Sequence, residues 1–257
     1  MIQLIALVTG ASSGIGAGVA SRFIKEGHKV IIAGRRSERL EELKKSLPSH
    51  LQSNLLIGSF DICDALASEQ FVRKIPKEFE AIDVLINNAG LALGLDPAHQ
   101  ADLDEWDRMI DTNIKGLINM TQFILPGMIS RSKGHIFNVG SVAGTYPYPG
   151  GNVYGASKAF VHEYTSDLRL SLAATQLRVT SIEPGMVSGT EFSNVRLGDD
   201  DRANRVYEGI HAMSADDIAE SIYWAATLPP HVNINRLELM PVQQSFGSPA
   251  FSRTTSK

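Results

Sequence analysis

Short apolar runs that do not alternate, each followed by a longer segment of helical spacing, recur along this chain and limit its fold more than any other feature. The runs are residues 4–9, 30–33, 55–57, 84–87, 135–139, 179–182 and 237–240. Segments with a repeat near 3.6 lie between them at 14–25, 38–46, 65–75, 103–129, 154–173 and 215–226. A strand that is apolar on both sides must be covered on both faces, which is the habit of parallel sheets. Strict β/α alternation therefore predicts an α/β, doubly wound parallel sheet of about seven strands with helices on both faces. With 257 residues and no repeat, linker or low-complexity tract, the whole of 1–257 reads as one domain.

Two helix ends carry chemical signals. Gly27 follows Glu26 where a left-handed residue closes a helix, and Ser214 with Asp217 forms a capping-box pattern. Two stretches read as irregular: 144–152, rich in Gly, Pro and Tyr, and the polar 184–204. A substrate loop is expected around 185–210, and a C-terminal tail over 241–257.

The net charge of −4 gives no reason to expect nucleic acid or an anionic membrane as partner. No apolar run approaches the roughly 20 residues that span a bilayer, and the N-terminus lacks a basic leader. The single Cys63 cannot form an internal disulfide and is expected as a small core hydrophobe. A cytoplasmic location is the resulting expectation. The seven histidines show no ligand spacing, so no metal site is expected.

The first run leads through Thr9-Gly10-Ala11-Ser12-Ser13-Gly14-Ile15-Gly16 into a helix. Glycines there allow a tight turn and bring backbone N–H groups to a pyrophosphate at the helix N-terminus, where the dipole favours anions. Gly10, Ser12, Ser13, Gly14, Ile15 and Gly16 are thus cofactor-binding candidates on a Rossmann-type fold. The second run ends in Ala33-Gly34-Arg35-Arg36, with no carboxylate until Glu38. A carboxylate there would hold the ribose of NAD, whereas guanidinium binds a 2′-phosphate, so Arg35 and Arg36 point to NADP. Their alternative is a pair of solvated helix-start cations. Asp61 and Ile62 either border an adenine ring or form a plain turn. Asn87, Ala89 and Gly90 end the fourth run at the sheet edge where such folds bind ligands.

Tyr154 and Lys158 stand at i and i+4, on one face of the predicted helix. A tyrosine titrates near pH ~10, and a neighbouring cation favours its ionised form. Such a phenol exchanges protons with an alcohol or carbonyl oxygen. Ser141 follows the fifth run at the same sheet edge.

Together TGASSGIG, NNAG, Asn113, Ser141 and YGASK resemble the short-chain dehydrogenase/reductase family over nearly the whole chain. The resemblance implies that Ser141 hydrogen-bonds the substrate oxygen and Tyr154 is the general acid/base. It implies that Lys158 binds the nicotinamide ribose and lowers the tyrosine pKa, while Asn113 holds a water of the proton relay. Pro184, Gly185 and Val187 then flank the nicotinamide, with Thr190 on its carboxamide. A homotetramer with helices 103–129 and 154–173 at an interface is also implied, as is a tail that reaches a neighbouring site.

Segments 90–94, 148–153, 190–196 and 231–235 are similar to the NADP-dependent 3-hydroxy acid dehydrogenase branch. Its substrates include serine, L-allo-threonine, 3-hydroxypropionate with malonic semialdehyde, and sulfoacetaldehyde. A small anionic substrate needs a cation or several donors, which makes Arg196, Tyr148 and Asn152 candidates beside Ser141 and Tyr154. Arg196 as an exposed loop cation and Tyr148 as a packing aromatic are the competing readings. Reduction of a 3-oxoacyl group or apolar ketone is the alternative activity, and an NADP-sensing protein without chemistry the alternative class.

Overall fold

The computed structural model describes residues 3–246. Seven parallel strands form its sheet: β1 Ile5–Thr9, β2 Lys29–Gly34, β3 Leu55–Ser59, β4 Val84–Asn87, β5 His135–Val139, β6 Arg178–Pro184 and β7 Arg236–Leu239. Their order is β3-β2-β1-β4-β5-β6-β7, so the winding reverses beside β1. Ligands bind such sheets at that reversal, beyond the carboxyl ends of the strands.

The non-alternating strands are explained by what covers them. Ala6, Val8, Val30, Ile32, Val84 and Ile86 face one buried cluster, which takes in Val19 and Phe23 of α1 (Gly14–Lys25) and Ile218 and Ile222 of the last helix. Leu7, Ile31, Leu85 and Ile136 face the opposite cluster, with Met120, Ile124 and Leu168. The central strands β1, β2, β4 and β5 are therefore apolar on both sides.

The remaining helices are α2 Ser37–Ser46, α3 Ala65–Arg73, α4 Lys77–Glu80, α5 Leu103–Ile110, α6 Leu117–Ser130, α7 Asn152–Ser171, α8 Phe192–Leu197, α9 Asp200–Arg205 and α10 Ala215–Thr227. Gly27 closes α1 at φ +81°, its N–H donating to Ile24 O, and Ser214 and Asp217 cap α10 reciprocally.

Several expectations need correction. The helix over 103–129 is interrupted by a π-helical turn, Asp111–Gly116, which contains Asn113. The polar stretch 184–204 contains α8 and α9, too short for periodicity to reveal, with Asp199 capping α9 by accepting from Arg202 N. α4, one turn long, escaped notice for the same reason. Cys63 is exposed, its Sγ 3.3 Å from Thr112 Oγ1, because it sits in the turn after β3 rather than in the core. Among the described residues no helix is long and apolar enough to cross a membrane, and no cluster of potential metal ligands occurs. Residues 247–257 of the tail lie outside the described residues.

A buried amide ladder joins the central strands to the helices. Asn87 Nδ2 donates to Thr121 Oγ1 and to Asn138 Oδ1, both at 2.9 Å, and Asn138 Nδ2 donates to Thr165 Oγ1 at 3.0 Å. Asn138→Ala is expected to lower unfolding free energy by about 1–3 kcal/mol, read by urea titration, because it strands dry donors and acceptors.

Candidate active site

A cleft of about 840 Å³ opens over the carboxyl ends of the central strands. At one end the turn after β1 runs into α1. Gly10 (φ +65°) and Gly14 (φ +53°) hold left-handed backbone there. A Cβ on Gly16 would lie 2.5 Å from Gly10 O and from Asn88 Nδ2. Asn88 Nδ2 in turn donates to Thr9 O (2.9 Å) and Gly10 O (3.2 Å), clamping the turn. Ser13, the N-cap of α1, makes no side-chain capping bond, and the first turn of α1 carries no acidic residue. These first-turn N–H groups form an uncapped, positive helix end suited to an anion.

Arg36 reaches over this turn. Its guanidinium donates to Ser12 Oγ (3.0 Å) and Ser13 Oγ (2.9 Å), and pairs with Glu191 at 2.7 Å. Arg35 pairs with Asp61 at 3.5 Å. Asp61 Oδ1 also accepts from Cys63 N, an aspartate turn, while Ile62 lines the cleft beside it.

At the centre of the cleft stand Ser141, Tyr154 and Lys158, all buried. Ser141 Oγ donates to Pro184 O at 3.3 Å and accepts from Ala143 N at 3.1 Å. Lys158 Nζ donates to Val139 O at 2.8 Å and lies 5.9 Å from the Tyr154 ring centre. Burial pushes the Tyr154 phenol up to about 12, against smaller downward pulls from Ser141 and Arg196. Burial pushes the Lys158 ammonium down to about 8. Loss of water around the phenol is the largest influence on it, and the Lys158 ammonium points at Val139 O. Behind them, Asn113 Oδ1 accepts from Leu91 N and its Nδ2 donates to Leu91 O, both at 2.9 Å, and to Ser157 Oγ at 3.0 Å. The π turn aims that amide at the chain just after Gly90. A Cβ on Gly90 would sit 3.2 Å from both Asn113 Oδ1 and Lys158 Nζ.

The far end is closed by α8. Arg196, half-buried, donates to Tyr148 OH (2.7 Å), Gly150 O (3.1 Å) and Gly94 O (3.2 Å). Its guanidinium carbon lies 5.1 Å from the Tyr148 ring centre and 5.5 Å from that of Tyr154. A cation thus stands beside the phenol ring in the lining of the cleft.

Not every candidate lines this space. Ala89, Gly90, Pro184, Gly185, Val187 and Thr190 do. Gly14 and Gly16 shape the turn from behind, a Cβ on Gly14 meeting Thr190 at 3.2 Å. The Asn87 side chain is turned into the amide ladder and does not line the cleft, whereas the neighbouring Asn88 does. Asn152 is not in the cleft lining either. Its exposed side chain donates to Asp96 O at 2.7 Å, because a φ of +35° at the start of α7 turns it away from the cleft. Sequence reasoning missed Gln244, whose Oε1 accepts from Met186 N at 2.8 Å, and Phe246 beside Tyr146. Residues 241–246 therefore fold against their own subunit's cleft; no periodicity or motif marks them.

Fold, glycine turn and the Ser141/Tyr154/Lys158 centre define a nucleotide-linked oxidoreductase, and residues 4–200 match the short chain dehydrogenase family. The chain belongs to that family. It is 53% identical to an NADP-dependent 3-hydroxy acid dehydrogenase of Salmonella typhi, over 98% of this chain and all of the relative. A serine 3-dehydrogenase of Rhizobium radiobacter is 51% identical over 93% of this chain and 94% of its own. The closed form of a serine dehydrogenase complexed with NADP+ superposes with a TM-score of 0.94 at 52% identity, covering 98% of this chain and 100% of that one.

Proposed function

We propose that this chain oxidises the hydroxyl-bearing carbon of a small 3-hydroxy acid, reversibly and with NADP. The full-length relatives are NADP-dependent 3-hydroxy acid and serine dehydrogenases. The donor set fits NADP: an uncapped helix end for the pyrophosphate, and Arg36 with Ser12 and Ser13 for a 2′-phosphate. When bound, NADP supplies the hydride acceptor. Ser141 holds the substrate oxygen where negative charge develops, and Tyr154 takes the hydroxyl proton on oxidation or returns it on reduction. Lys158 carries that proton onward, with a water of the relay held at Asn113. A homotetramer in the cytoplasm belongs to this reading, and apolar Leu103, Ile129 and Phe160 lie exposed on α5, α6 and α7, where the interface is expected.

One observation carries the substrate class: the Arg196 guanidinium lines the cleft beside the Tyr154 ring, where an acid group attached near the reacting carbon would meet it. The test is a panel of L-serine, L-allo-threonine, 3-hydroxypropionate and a hydrophobic secondary alcohol, followed by reduced-nicotinamide absorbance at fixed NADP. Preference for the hydrophobic alcohol sinks the acid reading.

Cofactor choice is checked separately. Arg36→Leu is expected to lower kcat/KM for NADP by about 10–100-fold, the value of charge-assisted bonds to one phosphate, and to leave NAD nearly untouched. An equal loss with both cofactors would mean that Arg36 only braces the turn.

A further inference from the structure

Beneath the Ser141 turn lies a charged network that the reaction does not use directly. Glu183, wholly buried next to the end of β6, accepts from Ser181 Oγ at 2.8 Å and from Arg236 Nε at 2.5 Å. Arg236, on β7, also donates to Thr145 Oγ1 and pairs with Glu238 at 3.2 Å. Glu238 accepts from Tyr146 OH at 3.2 Å, and Tyr146 lines the cleft. His162, two turns after Tyr154 on α7, completes the set. Its Nε2 accepts from Ser141 N at 3.5 Å and stands 3.5 Å from Glu183 Oε1.

The fit around His162 is close. A Cβ on Gly140 would lie 2.6 Å from its Nε2, and one on Gly144 would lie 2.5 Å from its Cε1. The imidazole therefore fills the space under residues 140–144, the segment that carries Ser141. Burial and the Arg236 charge hold His162 down to about 4, so the ring is neutral at working pH and can accept the Ser141 N–H. Glu183 then takes its counter-charge from Arg236 and not from the histidine. Pro184, the residue after Glu183, supplies the carbonyl that the Ser141 hydroxyl addresses. One arginine thus ties β6, β7 and the Ser141 loop together.

The geometry points to Arg236 and Glu183, with His162, as positioning residues that hold the Ser141 turn in register with Tyr154. The inference rests on Ser141 being the group that holds the substrate oxygen. Positional errors of about 1 Å at such a group cost up to ~100-fold in rate, so a partial loosening is expected to read as roughly tenfold. Arg236→Met should lower kcat about tenfold with NADP affinity unchanged, and Arg236→Lys should recover most of it.

The decisive comparison is made in two backgrounds. If the network acts through Ser141, Arg236→Met has no further effect on the residual rate of Ser141→Ala. An equal drop in both backgrounds overturns the inference, as does full kcat in Arg236→Met. Full turnover in Ser141→Ala alone would sink the site reading, and this inference with it. Should Arg236→Met fail to fold, the Glu183→Gln/Arg236→Met variant buries no lone charge and supports the same comparison.

Discussion

Tyr154→Phe is expected to lower kcat by about 10³-fold, within the range that one positioned general acid or base supplies, while leaving NADP affinity unchanged. The substitution removes one oxygen from a buried ring that also contacts Phe192, at 5.5 Å between centres, so packing is retained. Stopped-flow nicotinamide absorbance reads the rate and quenching of protein fluorescence reads the binding. Full turnover in the variant would overturn the proton-transfer role. The buried phenol also fixes a direction in pH. With its pKa raised to about 12, Tyr154 holds its proton through the neutral range. Oxidation needs the ionised form and should rise with pH through the neutral and alkaline range; reduction needs the proton and should stay level there, falling only as pH nears that value. A rising oxidation profile beside a level reduction profile is the signature expected in the wild-type protein and lost in the variant.

How far the sequence disclosed this site depended on the kind of interaction. The glycine turn and the Tyr154/Lys158 spacing are local, because backbone sterics and a helical repeat write them into neighbouring residues. Sheet faces were legible for the same reason: Leu7 and Val8 belong to opposite clusters, yet both are apolar. Long-range contacts left no such trace. Whether Asn87 or Asn88 faces the cleft depends on the pleat of β4 and on Thr121, 34 residues away. Asn152 takes a positive φ and donates to Asp96 O, a local turn that no spacing reveals. Spacing reveals the Lys158 cation but not the loss of water around the Tyr154 phenol. Gln244 meets Met186 across 58 residues, a closure that no pattern announces.

Arg196→Met is expected to cut kcat/KM for a 3-hydroxy acid by about 10–100-fold, mainly through KM, because a charge-assisted bond to a carboxylate is worth about 1.5–3 kcal/mol. The guanidinium is already fixed by Gly94 O, Gly150 O and Tyr148 OH, so little ordering cost remains when an acid group arrives. A neutral secondary alcohol of similar size should lose far less, which separates anchoring from general damage to the loop. Arg196→Lys keeps the charge without the planar fork and should fall between the two. There is also a coupled effect on the catalytic phenol. The Arg196 charge pulls the Tyr154 pKa down, opposing its burial, so removing that charge should move the alkaline rise of the oxidation rate to higher pH. An unchanged KM for the acid, together with an unshifted pH profile, would return Arg196 to the status of a loop latch.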